Sequence, residues 1–118
     1  MREAVSVDLS KPYERAAIRL REGEAGSLEL MFAVTSDGAR EDLSVYDSVT
    51  FEGSYPGGEV REACSIEEGY AVLACGESMT RAAGRYGLAY LALASGESVI
   101  TTQSIAVEVL PGVEGYGL

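Results

Sequence analysis

Apolar and polar residues alternate with a period of two along most of the chain, a pattern typical of β-strands with one buried face. In the run 28–34, the residues Leu28, Leu30, Phe32 and Val34 form one face of such a strand. The same alternation predicts strands around residues 5–9, 18–21, 49–52, 59–61 and 105–109. Residues 70–75 are apolar throughout, as expected of a strand that is covered on both faces.

Turn-forming residues separate these runs. Asp37-Gly38 and Glu68-Gly69 supply residues that tolerate a positive φ angle, and Pro56 opens a turn that continues into two glycines. The predicted strands follow one another at intervals of about 8–15 residues, the spacing of a sandwich or barrel. We expect at most one helical turn, within residues 76–83.

These signals predict an all-β protein, an immunoglobulin-like β-sandwich of about seven antiparallel strands. We place the sandwich at residues 15–110, after an N-terminal segment 1–14 and before a flexible, glycine-containing C-terminal tail 111–118. The longest apolar stretch begins at Tyr86, and its side chains at positions 88 and 90 are assigned to the core. The full predicted core is Ile18, Leu20, Leu28, Leu30, Phe32, Val49, Phe51, Val72, Leu88, Tyr90, Ile105 and Val107.

Gly84-Arg85-Tyr86 stands just before this long strand and fits a tyrosine corner. In that motif the tyrosine hydroxyl bonds to the backbone a few residues upstream and holds a loop against the sheet. The alternative is that Tyr86 is a half-buried aromatic residue at the start of a strand.

The amino-acid composition excludes several classes of site and partner. The 118 residues fit one domain, and the absence of histidine excludes a Ser-His-Asp triad, a Cys-His dyad and histidine metal sites. The formal net charge of -10 argues against a nucleic-acid partner, because phosphate neutralisation needs a basic face. We expect no membrane partner, since no apolar run reaches the roughly 18 residues of a span. Glu3 and Asp8 interrupt any signal-peptide core, so we expect the chain to be made in a cytoplasm.

One segment accounts for the whole net charge. Residues 22–68 carry twelve acidic and two basic side chains, whereas residues 1–21 carry three acidic and five basic ones. The acidic segment is either a solvated surface that maintains solubility or a face that meets a basic partner. A calcium site is disfavoured, because Asp37, Glu41, Asp42 and Asp47 lack the repeated spacing of a dedicated loop.

Candidate catalytic groups are few. Glu67-Glu68 and Glu41-Asp42 are adjacent carboxylates, but neighbouring residues of a strand point to opposite faces, so neither pair shares a pocket. We therefore expect no enzyme activity, no catalytic, cofactor-binding or metal-binding residues, and no cofactor.

Cys64 and Cys75 flank the Glu68-Gly69 turn and match no zinc signature. A hairpin would bring them near each other, which leaves a disulfide open. Direct cross-strand bridges are strained, and a cytoplasmic origin disfavours them, so two free thiols are the preferred prediction.

The order of short segments resembles the N-terminal immunoglobulin-like domain of the phage baseplate upper protein family. The resemblance covers about residues 15–110, and residues 83–86, Ala-Gly-Arg-Tyr, are similar to that family's Ala-Gly-x-Tyr step. The other similar segments are 19–24, 28–32, 37–38, 41–44, 49–58 and 101–109. The resemblance implies a virion structural part, assembled in a bacterial host cytoplasm, that docks to other phage tail or baseplate proteins.

Two other function classes stay open. A glycan-binding sandwich for host attachment would use exposed aromatic side chains, for which Tyr46, Tyr55 and Tyr116 are the candidates; each is otherwise a turn or edge residue. A bacterial surface or adhesion domain would need export, for which the N-terminal sequence gives no signal.

Charge suggests how docking would work. If the acidic segment meets a basic partner, salt should weaken binding, and charge reversal at Glu41 and Asp42 should slow association. Arg15, Arg19 and Arg21 make the first segment positive, so a homo-oligomer formed through opposite patches is a further hypothesis. The alternative is that these arginines simply alternate outward on a strand.

Overall fold

A computed structural model of the chain describes residues 1–12 and 15–112. Within these residues the backbone forms twelve β-strands and two single-turn 3-10 helices, Leu43–Val45 and Glu77–Met79. The strands are β1 (Arg2–Asp8), β2 (Ala16–Arg21), β3 (Glu29–Ser36), β4 (Ala39–Arg40), β5 (Ser48–Tyr55), β6 (Gly58–Ala63), β7 (Ser65–Glu67), β8 (Tyr70–Ala74), β9 (Gly84–Arg85), β10 (Leu88–Ser95), β11 (Ser98–Thr101) and β12 (Ile105–Leu110). No helix in this described part is long and apolar enough to cross a membrane.

The strands form three sheets around one core. The first sheet has the order β1-β3-β8-β7, with β4 paired to β3; the second is β11-β10-β5-β6, and the third is β2-β12-β9. Buried side chains from all three sheets belong to a single cluster. The predicted all-β sandwich architecture is therefore confirmed.

Two strand pairs differ from the predicted antiparallel arrangement. β1 runs parallel to β3, with Val5 opposite Phe32, and β2 runs parallel to β12, with Ile18 opposite Val107. Alternation of apolar residues is the same in parallel and antiparallel strands, so it does not reveal the direction of pairing. Parallel neighbours need a crossover, and here the connection from β1 to β3 passes through β2, which belongs to the third sheet.

The sandwich begins before the predicted boundary at residue 15. β1 is a full member of the first sheet, and Val5, Val7 and Leu9 are buried in the common core. At the other end, residues 113–118 of the predicted tail lie outside the described residues. Gly112, the last described residue, donates its N–H to Glu22 Oε1 at 3.2 Å.

A buried carboxylate fastens β1 to the neighbouring turn. Asp8 accepts hydrogen bonds from both the N–H and the hydroxyl of Ser10, from the Thr35 hydroxyl and from the Gly38 N–H. The bonds from Ser10 and Thr35, followed by the backbone donors, hold the pKa of Asp8 far below its usual range. Asp8 also exchanges two bonds with Gln103, through its own N–H (2.9 Å) and C=O (2.8 Å). The ionised side chain is thus part of the fold.

Ten of the twelve predicted core residues are buried, but Leu88 and Tyr90 are not. Leu88 is 50% exposed, and Tyr90 is partly exposed on the outer face of β10. The inward positions of β10 are Ala89, Leu91 and Leu93. Tyr86 and Gly87 lie between β9 and β10, outside both strands. The inward orientation of Tyr86 therefore does not predict the orientation of Leu88.

The tyrosine corner is confirmed. Tyr86 is buried, and its hydroxyl donates to the Met79 carbonyl oxygen at 2.8 Å, seven residues upstream. Its ring stacks on Tyr55, with centroids 4.4 Å apart and planes within 5°. A Cβ atom on Gly53 would stand only 2.8 Å from the Tyr86 ring, so the close approach of this ring requires glycine in β5.

The predicted turns and the helical turn are also present. Asp37 and Gly38 have φ angles of 52° and 83°, and Glu68 and Gly69 have 52° and 85°. Consecutive positive φ angles match the two-residue hairpin turns that suit strand twist. The 3-10 helix Glu77–Met79 falls within the predicted segment 76–83.

Cys64 and Cys75 are free thiols in the structure. Ser65 pairs with Val72, so the hairpin register sets Cys64 two residues out of step with Cys75. Cys64 donates its N–H to Val49 O (2.9 Å) and Cys75 donates to Leu28 O (2.9 Å), which attaches them to different sheets. Burial raises the pKa of Cys64 to about 12 and that of Cys75 to about 11.

Candidate docking surface

Leu88, the first residue of β10, lies where three open hollows of the protein surface meet. The hollows have volumes of about 310, 550 and 500 Å³, so each has room for side chains of a partner. Leu88 is 50% exposed, so a molecule that filled these hollows would cover an apolar side chain. We call these hollows together the Leu88 surface; its defining residues are Leu88, Tyr90, Lys11, Arg15, Arg19, Arg61, Arg85, Glu52, Glu59 and Glu108.

Basic side chains surround Leu88. Of the nine lysines and arginines in the chain, five line the Leu88 surface: Lys11, Arg15, Arg19, Arg61 and Arg85. Its acidic residues are Glu52, Glu59 and Glu108. Five positive and three negative groups make the surface net positive, on a protein whose formal net charge is -10. The Leu88 surface is therefore positively charged, although the protein as a whole is acidic.

The arginines of this surface are held loosely. Arg19 and Arg85 approach opposite oxygens of Glu108 at 3.7 and 3.4 Å, and Arg61 approaches Glu52 at 3.3 Å. The three arginine side chains are 78%, 84% and 79% exposed, in that order. Exposed ion pairs contribute about 0–1 kcal/mol, so these guanidinium groups remain free to meet carboxylates of a partner.

Central strands provide a rigid base for the surface. Leu88 is in register with Ser54 of β5, and Gly87 donates its N–H to the Ser54 carbonyl oxygen at 2.9 Å. Tyr90 donates its hydroxyl to Glu52 at 2.9 Å, across the same strand pair. This bond to Glu52 raises the pKa of Tyr90. Because β5 and β10 are the inner strands of the second sheet, Leu88 and Tyr90 rest on backbone that is paired on both sides.

Only part of this surface is predictable from the sequence. Arg15 and Arg19 line it as the positive first segment suggests, whereas Arg21 donates to the Pro111 carbonyl oxygen at 2.7 Å. Outward exposure of Arg61 is readable from the alternation around buried Val60, but its position beside residue 88 is not. Residues of β2, β6, β10 and β12 line the hollows together, and no local sequence pattern predicts that these strands come together.

The acidic residues of segment 22–68 are spread over two sheets. Glu29 on β3 and Glu67 on β7 belong to the first sheet and bind Arg2 at 2.8 and 3.1 Å. Hydrogen bonding from Arg2 lowers the pKa of Glu67. Glu52 and Glu59 belong to β5 and β6 of the second sheet. The segment is continuous in sequence, but its carboxylates do not share one sheet.

Three other carboxylates singled out from the sequence, Glu41, Asp42 and Asp47, accept hydrogen bonds within the protein. Asp42 accepts the Ser44 N–H at 3.0 Å and caps the 3-10 helix, and hydrogen bonds from Ser44 lower its pKa. Asp47 accepts the Gly96 N–H at 2.7 Å, and Glu41 accepts a tyrosine hydroxyl. Among residues 1–12 and 15–112, no three histidine, cysteine or acidic side chains gather as a metal site.

The tyrosines predicted to be exposed are placed differently. Tyr55 is buried: its hydroxyl donates to the Ser78 carbonyl oxygen (2.7 Å) and accepts the Arg81 N–H (2.8 Å). The loop around the second 3-10 helix covers Tyr55. This long-range contact cannot be predicted from the turn residues next to Tyr55. Tyr46 is partly buried and donates to Glu41, and Tyr116 lies outside the described residues.

The fold is similar to a solved structure described as the N-terminal domain of phage TP901-1 ORF48, with a TM-score of 0.74. The similarity covers 92% of this chain and 98% of that domain, at 13% sequence identity. It therefore shows a shared fold. No protein-family model matches the chain, and no curated protein matches its sequence.

Proposed function

We propose that this chain is a non-enzymatic structural domain of a phage tail or baseplate, located in the virion, that docks to other virion proteins through the Leu88 surface. The observation that carries the proposal is the fold similarity to a domain of a phage protein over nearly the whole of both chains. The ordered resemblance to the baseplate upper protein family supports the same assignment.

Charge and exposure define the partner. The surface fits an acidic segment that places one apolar side chain against Leu88, since exposed arginines surround that residue. Burying a leucine side chain completely stabilises by about 1.5–3 kcal/mol, so covering the exposed half contributes about 1 kcal/mol. The surrounding arginines would mainly accelerate association and select an acidic partner.

The test is binding between this protein and each purified tail and baseplate protein of the same genome. We expect one partner to bind, with an affinity that falls as salt rises, because contacts between exposed charges are screened beyond about 8 Å at physiological ionic strength. Leu88→Asp and Arg85→Glu should each weaken binding. Val45→Asp is the matched control, because Val45 is 60% exposed and does not line the Leu88 surface.

Mass spectrometry of purified particles supplies the second part of the test. The proposal fails if no tail protein binds and the chain is absent from particles. Partner binding that is insensitive to Leu88→Asp and Arg85→Glu would retain the structural role but reject this surface.

A glycan-binding role is the second candidate, and one observation favours it. Tyr90 exposes part of its ring beside Glu52 and Arg61, a combination of aromatic, acceptor and donor groups suited to a sugar. Titration with host cell-wall saccharide, with Tyr90→Ala as the comparison, separates the two functions. Saturable binding that Tyr90→Ala abolishes, without binding to any tail protein, would establish the glycan role instead.

A further inference from the structure

Strand β11 is an exposed edge of the second sheet. Within the described residues it pairs with β10 alone, and it is the last strand in the order β11-β10-β5-β6. Val99 is 65% exposed and Ile100 is 40% exposed, although both are β-branched apolar residues of the kind that usually lie within sheets. The strand is therefore uncovered on both faces.

The backbone of β11 presents a regular set of hydrogen-bonding groups to solvent. Thr102 donates its N–H to the Leu91 carbonyl oxygen at 3.0 Å, so position 102 faces β10. In an antiparallel pair, successive residues alternate between bonding toward the neighbour and bonding away from it. Ser98 and Ile100 thus bond toward β10, while Val99 and Thr101 direct their N–H and C=O groups outward.

This edge also lacks the protection that the other edges carry. Natural sheets place charged side chains on exposed edge strands to prevent pairing with another chain. The edge strands β1, β2, β6, β7 and β9 each contain at least one charged residue, as does the short β4. β11 contains none, and the whole stretch 98–107 is uncharged in a chain of which 24% is charged.

We propose that two copies of this chain pair through β11 about a two-fold axis at Ile100, joining two four-stranded sheets into one of eight strands. In this antiparallel register Val99 of each copy lies opposite Thr101 of the other. The outward N–H and C=O groups of both residues then form four hydrogen bonds across the axis. The two Ile100 side chains meet at the axis as a non-hydrogen-bonded pair, the closer of the two pair types.

A second copy suits this edge in charge as well as in hydrogen bonding. The paired strands are neutral, and the two Glu97 residues lie six positions apart along the strands, about 20 Å. That separation exceeds the screening length of about 8 Å at physiological salt. The net charge of each whole copy still opposes association, so the dimer is concentration-dependent and strengthens as salt rises. Docking of an acidic partner to the Leu88 surface has the opposite salt dependence, so failure of either inference leaves the other testable.

Sedimentation equilibrium from about 10 µM to about 1 mM protein covers the range in which a small interface is populated. We expect a monomer–dimer equilibrium in which Val99→Lys and Ile100→Lys each lower the association constant by about tenfold or more, the effect of charge placed on an edge. Val45→Lys and Ile66→Lys are the controls, because these residues are 60% and 44% exposed on other elements. A protein that stays monomeric at all concentrations and salts, or a dimer that resists both β11 variants, overturns the proposal.

A cysteine variant tests the register itself. Opposed non-hydrogen-bonded residues have Cα atoms about 4.5 Å apart, within the range of about 4.4–6.8 Å that a disulfide spans. Ile100→Cys should therefore form a covalent dimer under mild oxidation. Val99→Cys should not, since the two copies of residue 99 are offset by two positions and exceed the limit of about 7 Å. Equal crosslinking of both variants, or of neither, rejects this register.

Discussion

Removing a single oxygen atom from Tyr86 tests the tyrosine corner. Tyr86→Phe keeps the ring, so the stacking on Tyr55 and the edge contact with Phe51, centroids 6.2 Å apart, remain. The variant loses only the 2.8 Å hydrogen bond to the Met79 carbonyl oxygen. A buried acceptor left without its donor costs about 1–3 kcal/mol, which is the destabilisation we expect.

Urea unfolding followed by circular dichroism measures this loss, since the chain has no tryptophan for a fluorescence signal. With a denaturant dependence of about 1–3 kcal/mol per molar urea, the midpoint should fall by about 1 M. Tyr90→Phe is the matched control: it also removes one tyrosine hydroxyl bond, the 2.9 Å contact with Glu52, but from a partly exposed site. We expect it to change stability by no more than about 0.5 kcal/mol.

The reasoning is refuted if Tyr86→Phe unfolds at the same urea concentration as the parent protein. It is also refuted if Tyr90→Phe loses as much stability, because burial of the acceptor would then not explain the cost.

Three further predictions concern the fold and the thiols. Asp8→Asn should destabilise the protein at pH 7. Folding lowers the pKa of Asp8, so its carboxylate contributes stability above the unfolded-state value of about 3.9 and loses that contribution progressively below it. The difference between the urea midpoints of variant and parent should therefore begin to narrow below about pH 4. Gly84→Ala should lower the stability of the protein by about 1–3 kcal/mol, because Gly84 has a φ of 139° and a Cβ there would stand 2.8 Å from Pro56. Gly87→Ala is the control: Gly87 has open space around it, so its thermal melting temperature should stay close to that of the parent protein while that of Gly84→Ala falls. With no reductant present, titration of the unfolded protein should find two thiols, and finding none would contradict the free state. In the folded protein, Cys64 and Cys75 should react slowly at pH 8, because burial raises their pKa values.

Local chemistry explains what the sequence could predict about this fold. Positive φ angles at Asp37-Gly38 and Glu68-Gly69 follow from residue type, and the burial of Phe32 follows from strict alternation. The parallel pairing of β1 with β3 has no local signature, since it depends on the crossover through β2, which pairs in the third sheet. Strand existence is therefore readable from the chain, and strand direction is decided by the packing of distant segments.

The Leu88 surface has no clear signal in the sequence, because the alternation is interrupted before residue 88. Leu88 looks like a core residue when the alternation is counted from Tyr86, but Tyr86-Gly87 lies outside the strands and Ala89 takes the inward position. Apolar residues on both sides of 86–94 give no internal check on that phase. The hollows around Leu88 depend on β2, β6 and β12, which are distant from it in the sequence.

The parallel pairing of β2 with β12 has a mechanical consequence. The strands are in register over six residue pairs, from Ala16 opposite Ile105 to Arg21 opposite Leu110. Tension applied before Ala16 and after Leu110 pulls the two strands in opposite directions along their length. The interstrand hydrogen bonds then share the load and must break together, instead of opening one at a time as in a peeled hairpin. A force measurement with handles at residues 16 and 110 would load this pair directly and read its unfolding rate.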